Sequence, residues 1–241
     1  MRPGRFLALG LILAASAAPQ AVSLARAPAA KAPSLLAATR DWSQTVAATP
    51  EGGVRMGNPN APLKLIEFGS ISCNHCAEFN EKGAPVLRGS YVRSGRVSWE
   101  YRPFMIFPTD PGIFLLLNCL GPAGFFSASD RLYTQQEQWV GRLQQMSESE
   151  LSRIQSLPPP EMAAAFTRAT GVDQMFRERG LLGARVDTCF ADEARLLRLA
   201  EISRVGRSLG VTGTPSFMLN GRLLDNIHSW DDLEPFLKQG G

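Results

Sequence analysis

The sequence predicts an α/β fold in which a strand–helix–strand unit and a terminal hairpin are separated along the chain by a long helical insert. Three observations carry this. Leu63-Lys64-Leu65-Ile66-Glu67-Phe68 is an apolar run of strand length, preceded by the turn signal Asn58-Pro59-Asn60-Ala61-Pro62. From about Pro108 the pattern becomes helical and stays so for roughly 95 residues. Strand signals return at Ser216-Phe217-Met218-Leu219 and Arg222-Leu223-Leu224, joined by Asn220-Gly221, the pair a type I′ hairpin turn requires.

The remaining elements follow from local pattern. Cys73 to about Tyr91 reads as a helix with a kink at Pro85, where a backbone donor is missing. Arg96-Val97-Ser98-Trp99-Glu100-Tyr101-Arg102 alternates polar and apolar residues and reads as a second strand. The short crossover between the two strands predicts a parallel βαβ unit. Within the insert, Leu132, Gln136, Trp139, Val140 and Leu143 fall on one helical face. Ser147 to Glu150 has the form of a capping box, Pro158-Pro159-Pro160 interrupts a helix, and Gly171 is placed to end one. Leu196, Leu199, Ile202, Val205 and Leu209 make another stripe, closed by Gly210, and a last helix runs from about Trp230 to Lys238. These stripes are core faces, and no internal repeat is visible.

Composition narrows the function classes. Hydrophobic residues make up 44% and charged residues 20% of the 241, as in a globular protein. Arg2 and Arg5 precede the apolar run Phe6 to Ala15, and small-residue cleavage sites such as Ala15-Ser16-Ala17 and Ala25-Arg26-Ala27 follow. The run is shorter than the ~20 apolar residues a membrane span needs. Residues 1–27 are therefore expected to be a signal peptide, which implies export to the periplasm. Residues 28–42, rich in Ala and Pro, are expected to form a mobile lead-in. Losing the leader removes three arginines and no acid, which brings the formal +3 to zero. No basic field for nucleic acid is left.

Four cysteines suit an oxidising compartment. Three pairings are formally possible. The favoured one has Cys73 and Cys76 as a redox pair, and Cys119 with Cys189 as a structural disulfide. Cys73-Asn74-His75-Cys76 stands where a strand gives way to a helix. At the first turn of a helix, unpaired N–H groups and the positive end of the dipole favour a thiolate. A histidine between the cysteines adds a second stabiliser.

With Val211-Thr212-Gly213-Thr214-Pro215 directly before the hairpin, and with Phe68-Gly69-Ser70-Ile71-Ser72 leading into the tetrad, the chain resembles the DsbA-like branch of the thioredoxin superfamily over roughly residues 43–240. The resemblance implies a thioredoxin fold over 43–107 and 206–241, with a helical domain, 108–205, inserted between its halves. It implies a cis Thr214–Pro215 bond facing the disulfide, an exposed nucleophilic Cys73 and a buried Cys76. It also places Glu67 beneath the disulfide as a proton carrier. Lowering a thiol pKa by three units takes ~4 kcal/mol at ~1.36 per unit. A helix dipole supplies at most ~2 kcal/mol, so first-turn amides and the His75 imidazole are expected to supply the rest.

The function so implied is a periplasmic thiol:disulfide oxidoreductase, acting as a monomer on exported cysteine-containing proteins and reoxidised by a DsbB-like membrane protein. No nucleotide, flavin or metal cofactor is required. Asn74 and Thr214 depart from the proline and valine of classical members, which keeps disulfide isomerase or reductase open as the alternative. Isomerases of the related branch carry an added dimerisation module, for which the ~15–30 residues after the leader are too few; this favours a monomer and net oxidation. A more distant alternative is a metal-binding protein using Cys73, His75 and Cys76, although Cys119 and Cys189 lack the spacing of a second ligand pair. His228 has no partner visible in the sequence and reads as a surface histidine.

Overall fold

Leu63–Gly69 and Val97–Pro103 lie side by side and parallel, as the short helical crossover between them dictates, with Leu63 opposite Val97 and Gly69 opposite Pro103. This is seen in a computed structural model that describes residues 40–240. The expected signal peptide and most of the expected lead-in lie outside the described residues.

The described sheet has six strands in the order β1-β2-β4-β3-β5-β6: β1 Val46–Ala48, β2 Val54–Gly57, β3 Leu63–Gly69, β4 Val97–Pro103, β5 Ser216–Leu219 and β6 Arg222–Leu223. The terminal hairpin joins antiparallel to β3, with Phe68 opposite Ser216. Asn220 and Gly221 both have positive φ, 49° and 83°, the geometry of a type I′ turn.

The hairpin β1–β2, paired antiparallel to β4, was not expected from the sequence. Its strands are short, and Gly52-Gly53 between them reads as a loop. Gly53 is there because β4 leaves no room: a Cβ would lie 2.5 Å from Glu100 Oε1 and 2.8 Å from the Tyr101 carbonyl.

Between β3 and β4 run α1 Asn74–Lys82, the single turn α2 Ala84–Val86 and a π-type turn Leu87–Val92. The break falls at Gly83, one residue before the segment holding Pro85, and Leu87 N–H donates to the Gly83 carbonyl at 2.9 Å. Eight helices come between β4 and β5: α3 Asp110–Cys119, α4 Pro122–Thr134, α5 Gln136–Gln144, α6 Glu148–Gln155, α7 Pro159–Ala169, α8 Val172–Arg177, α9 Gly183–Phe190 and α10 Glu193–Ser208. The chain closes with α11 Trp230–Gln239. The capping box at Ser147 and Glu150 is formed, and Gly171 takes φ 72° after α7.

One sequence expectation is corrected in this insert. Leu132 to Leu143 do not share one helix: α4 ends at Thr134, and Gln135 (φ −106°, ψ 13°) separates it from α5. The turn aims the Gln136 side chain at the loop beside Cys73.

Strand alternation decides what faces the site. Leu63 and Leu65 point into the large core shared with Phe79, Ile113 and Phe114, while Phe68 points to a smaller cluster with Phe104, Val211 and Met218. Glu67 shares parity with Leu63 and Leu65, so its carboxyl enters the large core on the side covered by α1. Gly206 of α10 covers the opposite face, where a Cβ would meet Phe104 at 2.9 Å and Phe68 at 3.2 Å.

Candidate active site

β3 delivers the chain to the loop Ser70-Ile71-Ser72, and Cys73 caps α1 in an extended conformation (φ −84°, ψ 125°). Its carbonyl accepts from Ala77 N–H at 3.1 Å, so its side chain stands at the mouth of the first turn. Across from it, Thr214–Pro215 is a cis peptide at the entrance to β5. The Cys73 thiol donates to the Thr214 carbonyl at 3.2 Å. Cys73 and Cys76 are both free thiols.

The two thiols are driven apart electrostatically. Cys73 is lowered to about 5, first by a hydrogen bond from the Cys76 thiol and then, against the opposing cost of burial, by the Thr214 hydroxyl and the N–H groups of Cys76 and His75. Cys76 is pushed well above its ordinary range by complete burial, with its bond to Cys73 and the charges on Cys73 and Glu67 adding to the effect. A drop from about 9 to about 5 corresponds to on the order of 5 kcal/mol in favour of the thiolate. That exceeds what a helix dipole provides. Thr214 Oγ1 is buried without a hydrogen-bond partner while Cys73 is a thiol.

Glu67 is fully buried and raised to about 8 by that burial, against the opposing hydrogen bond from Trp99 and the charge of Arg88. Trp99 Nε1 donates to its Oε2 at 3.0 Å. Alongside, the hydroxyls of Tyr101 and Tyr133 are 2.9 Å apart, and Tyr133 also donates to the Ser70 carbonyl at 3.2 Å.

Three expectations change. Cys73 is not exposed: only 4% of its surface is accessible, because the cis-proline corner and its own helix cover it. The His75 imidazole does not sit on the thiolate. Its side chain is 66% exposed with Nδ1 3.9 Å from Glu78 Oε2, and it is the residue's backbone N–H that reaches Cys73. His228 lies at the surface, as expected, but it is not partnerless, because its Nδ1 lies 2.8 Å from the Pro215 carbonyl.

The site also rests on residues that the sequence did not single out for it. The buried Asp110 carboxylate accepts from Ser70 Oγ and Ser72 Oγ at 2.9 Å, and from the N–H groups of Ile106 and Phe107 at 2.9 Å. It thereby ties the loop before Cys73 to the loop after β4. Gln136 Nε2 donates to the carbonyls of Ile71 and Cys73 at 2.7 and 2.9 Å. A glutamine on an otherwise apolar stripe is the signal that could have revealed this role. Asp110 offers no such signal, since an acid at a helix start is commonplace. Ile106 and Phe107 remain 44% and 40% exposed at the rim.

Cys119 and Cys189 form a disulfide joining the end of α3 to α9, with a Cα–Cα distance of 6.2 Å. Among the described residues no cluster of three or more His, Cys, Asp or Glu is placed to hold a metal. No described helix is long and apolar enough to cross a membrane.

Comparison with known proteins agrees with this fold. A family model described as thioredoxin matches residues 49–239. The fold is similar to that of a protein-disulfide isomerase from Novosphingobium aromaticivorans, 31% identical with a TM-score of 0.74, over 78% of this chain and 96% of that one. Alpha-DsbA1 of Wolbachia pipientis shares the fold at a TM-score of 0.62 and 16% identity, over 80% of this chain and 92% of that one. A Rickettsia prowazekii protein provisionally named a protein-disulfide oxidoreductase is 20% identical over 71% of this chain and 55% of its own length. For a similarly named Rickettsia bellii protein the figures are 22%, 73% and 60%. The chain thus spans little more than half the length of these curated relatives.

Proposed function

The chain belongs to the thioredoxin family, and on that premise we propose that it is a DsbA-like periplasmic oxidase that places disulfides in exported proteins. The observation that carries the reading is the opposition of two thiols within one helical turn, Cys73 lowered and Cys76 raised, beside a cis Thr214–Pro215 bond.

In the oxidised enzyme a substrate thiolate attacks the Cys73 sulfur. The Cys73–Cys76 bond breaks, its electron pair goes to Cys76, and a proton reaches Cys76 from Glu67. A second substrate thiolate then attacks the substrate sulfur of the mixed disulfide and expels Cys73. A thiolate whose pKa is near 5 is a good leaving group, so release favours the oxidised substrate. The enzyme ends as a dithiol, and a DsbB-like membrane partner takes its two electrons. During that step Glu67 takes back the Cys76 proton.

Disulfide isomerase is the second reading, supported by the printed name of the Novosphingobium neighbour. Trapping the Cys73/Cys76 redox state in cells, together with refolding of a scrambled multi-disulfide substrate, tests the proposal. A predominantly oxidised pair with weak unscrambling is expected. A predominantly reduced pair with efficient unscrambling overturns the oxidase reading in favour of the isomerase.

A further inference from the structure

The corner that faces Cys73 has an unusual weakness. Proline 215 has no N–H, so the corner cannot be tied from its own nitrogen. Its carbonyls are tied instead. Ser216 Oγ donates to the Gly213 carbonyl at 2.8 Å and the Cys73 thiol donates to that of Thr214 at 3.2 Å. The Cys73 bond is lost each time the sulfur ionises or forms a disulfide. The third bond, His228 Nδ1 to the Pro215 carbonyl, does not involve the reacting sulfur.

We propose that His228 is a positioning residue for substrate capture, holding the Thr214–Pro215 corner in place so that a peptide carrying the target cysteine meets a preset backbone edge. This rests on the oxidoreductase reading above and extends it to the binding of the substrate chain. A carbonyl only accepts, so Nδ1 must carry the proton. A neutral His228 therefore holds its proton on Nδ1.

His228 itself is exposed, and the residues that follow it fix the backbone that carries it. Ser229 caps α11, its Oγ accepting from Asp232 N–H at 3.2 Å. Trp230 is buried and packs 6.4 Å from the Phe79 ring on α1, the helix that bears Cys76 and is capped by Cys73. It lies so close to Gly83 that a Cβ there would be 2.9 Å from the indole. Three consecutive residues thus tie the proline corner, start α11 and pack against α1. The distance between the Cys73 sulfur and the Thr214 backbone is set from one short segment.

The test measures oxidation of a dithiol peptide with glutathione disulfide as terminal oxidant, in the wild type and in His228→Phe, His228→Ala and His228→Asn. Phe keeps a planar ring without a donor, and Asn restores an N–H near the Nδ1 position. Phe and Ala are expected to raise KM for the peptide about tenfold, the worth of one hydrogen bond, with kcat within about twofold. Asn is expected to recover most of that loss. An unchanged KM in Phe and Ala overturns the proposal. So does a loss that Asn fails to rescue, since it marks a general structural role. A wild type unable to oxidise the peptide would instead refute the proposed function.

Discussion

The indole N–H of Trp99 donates to Glu67 Oε2 at 3.0 Å inside the core, from the strand paired parallel to that of Glu67. This neutral donor is the hydrogen bond given to a carboxyl that no water reaches. It lowers the cost of charging Glu67 without cancelling it, and the group settles at about 8. Around neutral pH the carboxyl is largely protonated yet able to release its proton, which is what acid and base service to Cys76 needs.

Glu67 binds its proton more tightly in the folded chain than an unfolded glutamate does. Its contribution to stability is complete below about pH 4.5 and is lost as pH rises through about 8. Reduced Cys73 acts oppositely, adding stability above its ordinary value near 9 and losing it as pH falls through about 5. The disulfide-closed protein, which lacks the Cys73 titration, is therefore expected to lose stability between pH 5 and 8.5. Glu67→Gln is expected to flatten that slope and to exceed the wild type by a few kcal/mol at pH 8.5. Urea unfolding of both oxidised proteins at the two pH values checks this, and parallel pH curves would contradict it.

The thiolate at Cys73 is assigned first to the Cys76 thiol, then to the Thr214 hydroxyl and backbone donors, rather than to the His75 ring. Thr214→Val is expected to raise the Cys73 midpoint by about one unit, the worth of a hydrogen bond to a charged sulfur. His75→Ala keeps the backbone N–H and is expected to move the midpoint less than Thr214→Val does. Thiolate absorbance against pH measures both. A larger shift in the His75 variant would return the imidazole to the mechanism.

Asp110 binds the Ser70–Ser72 loop to the Ile106–Phe107 rim through one buried carboxylate. Asp110→Ala strands several buried donors and is expected to cost about 2–4 kcal/mol. Chemical denaturation gives the number. A loss under 1 kcal/mol would show that the two loops hold without it.

The Cys119–Cys189 disulfide closes a separation of 70 residues within the helical insert. In the chain-entropy view a loop of that size contributes about 4 kcal/mol. Replacing both cysteines by Ser is expected to lower stability by about that amount and to leave the Cys73 titration in place. A displaced titration would show that the insert, through α3 and Asp110, transmits strain to the site.

Local chemistry made much of the protein legible before folding. Periodicity identified β3, β4 and the terminal hairpin, and Asn220-Gly221 carried its own turn geometry, because these signals depend on neighbours in the chain. The cysteine tetrad identified the candidate pair of thiols for the same reason. The β1–β2 hairpin escaped because its strands are short and acquire meaning only against β4. The break at Gln135 escaped because its purpose, turning Gln136 toward the Cys73 carbonyl, lies 63 residues away. Asp110 and His228 look ordinary in sequence. Their partners, at Ser70 and Pro215, are brought to them by the sheet and by the short segment before α11. Sequence alone named the two candidate sulfurs. Tertiary structure decided how easily each gives up its proton, since that depends on burial and on hydrogen-bond donors from strands distant along the chain.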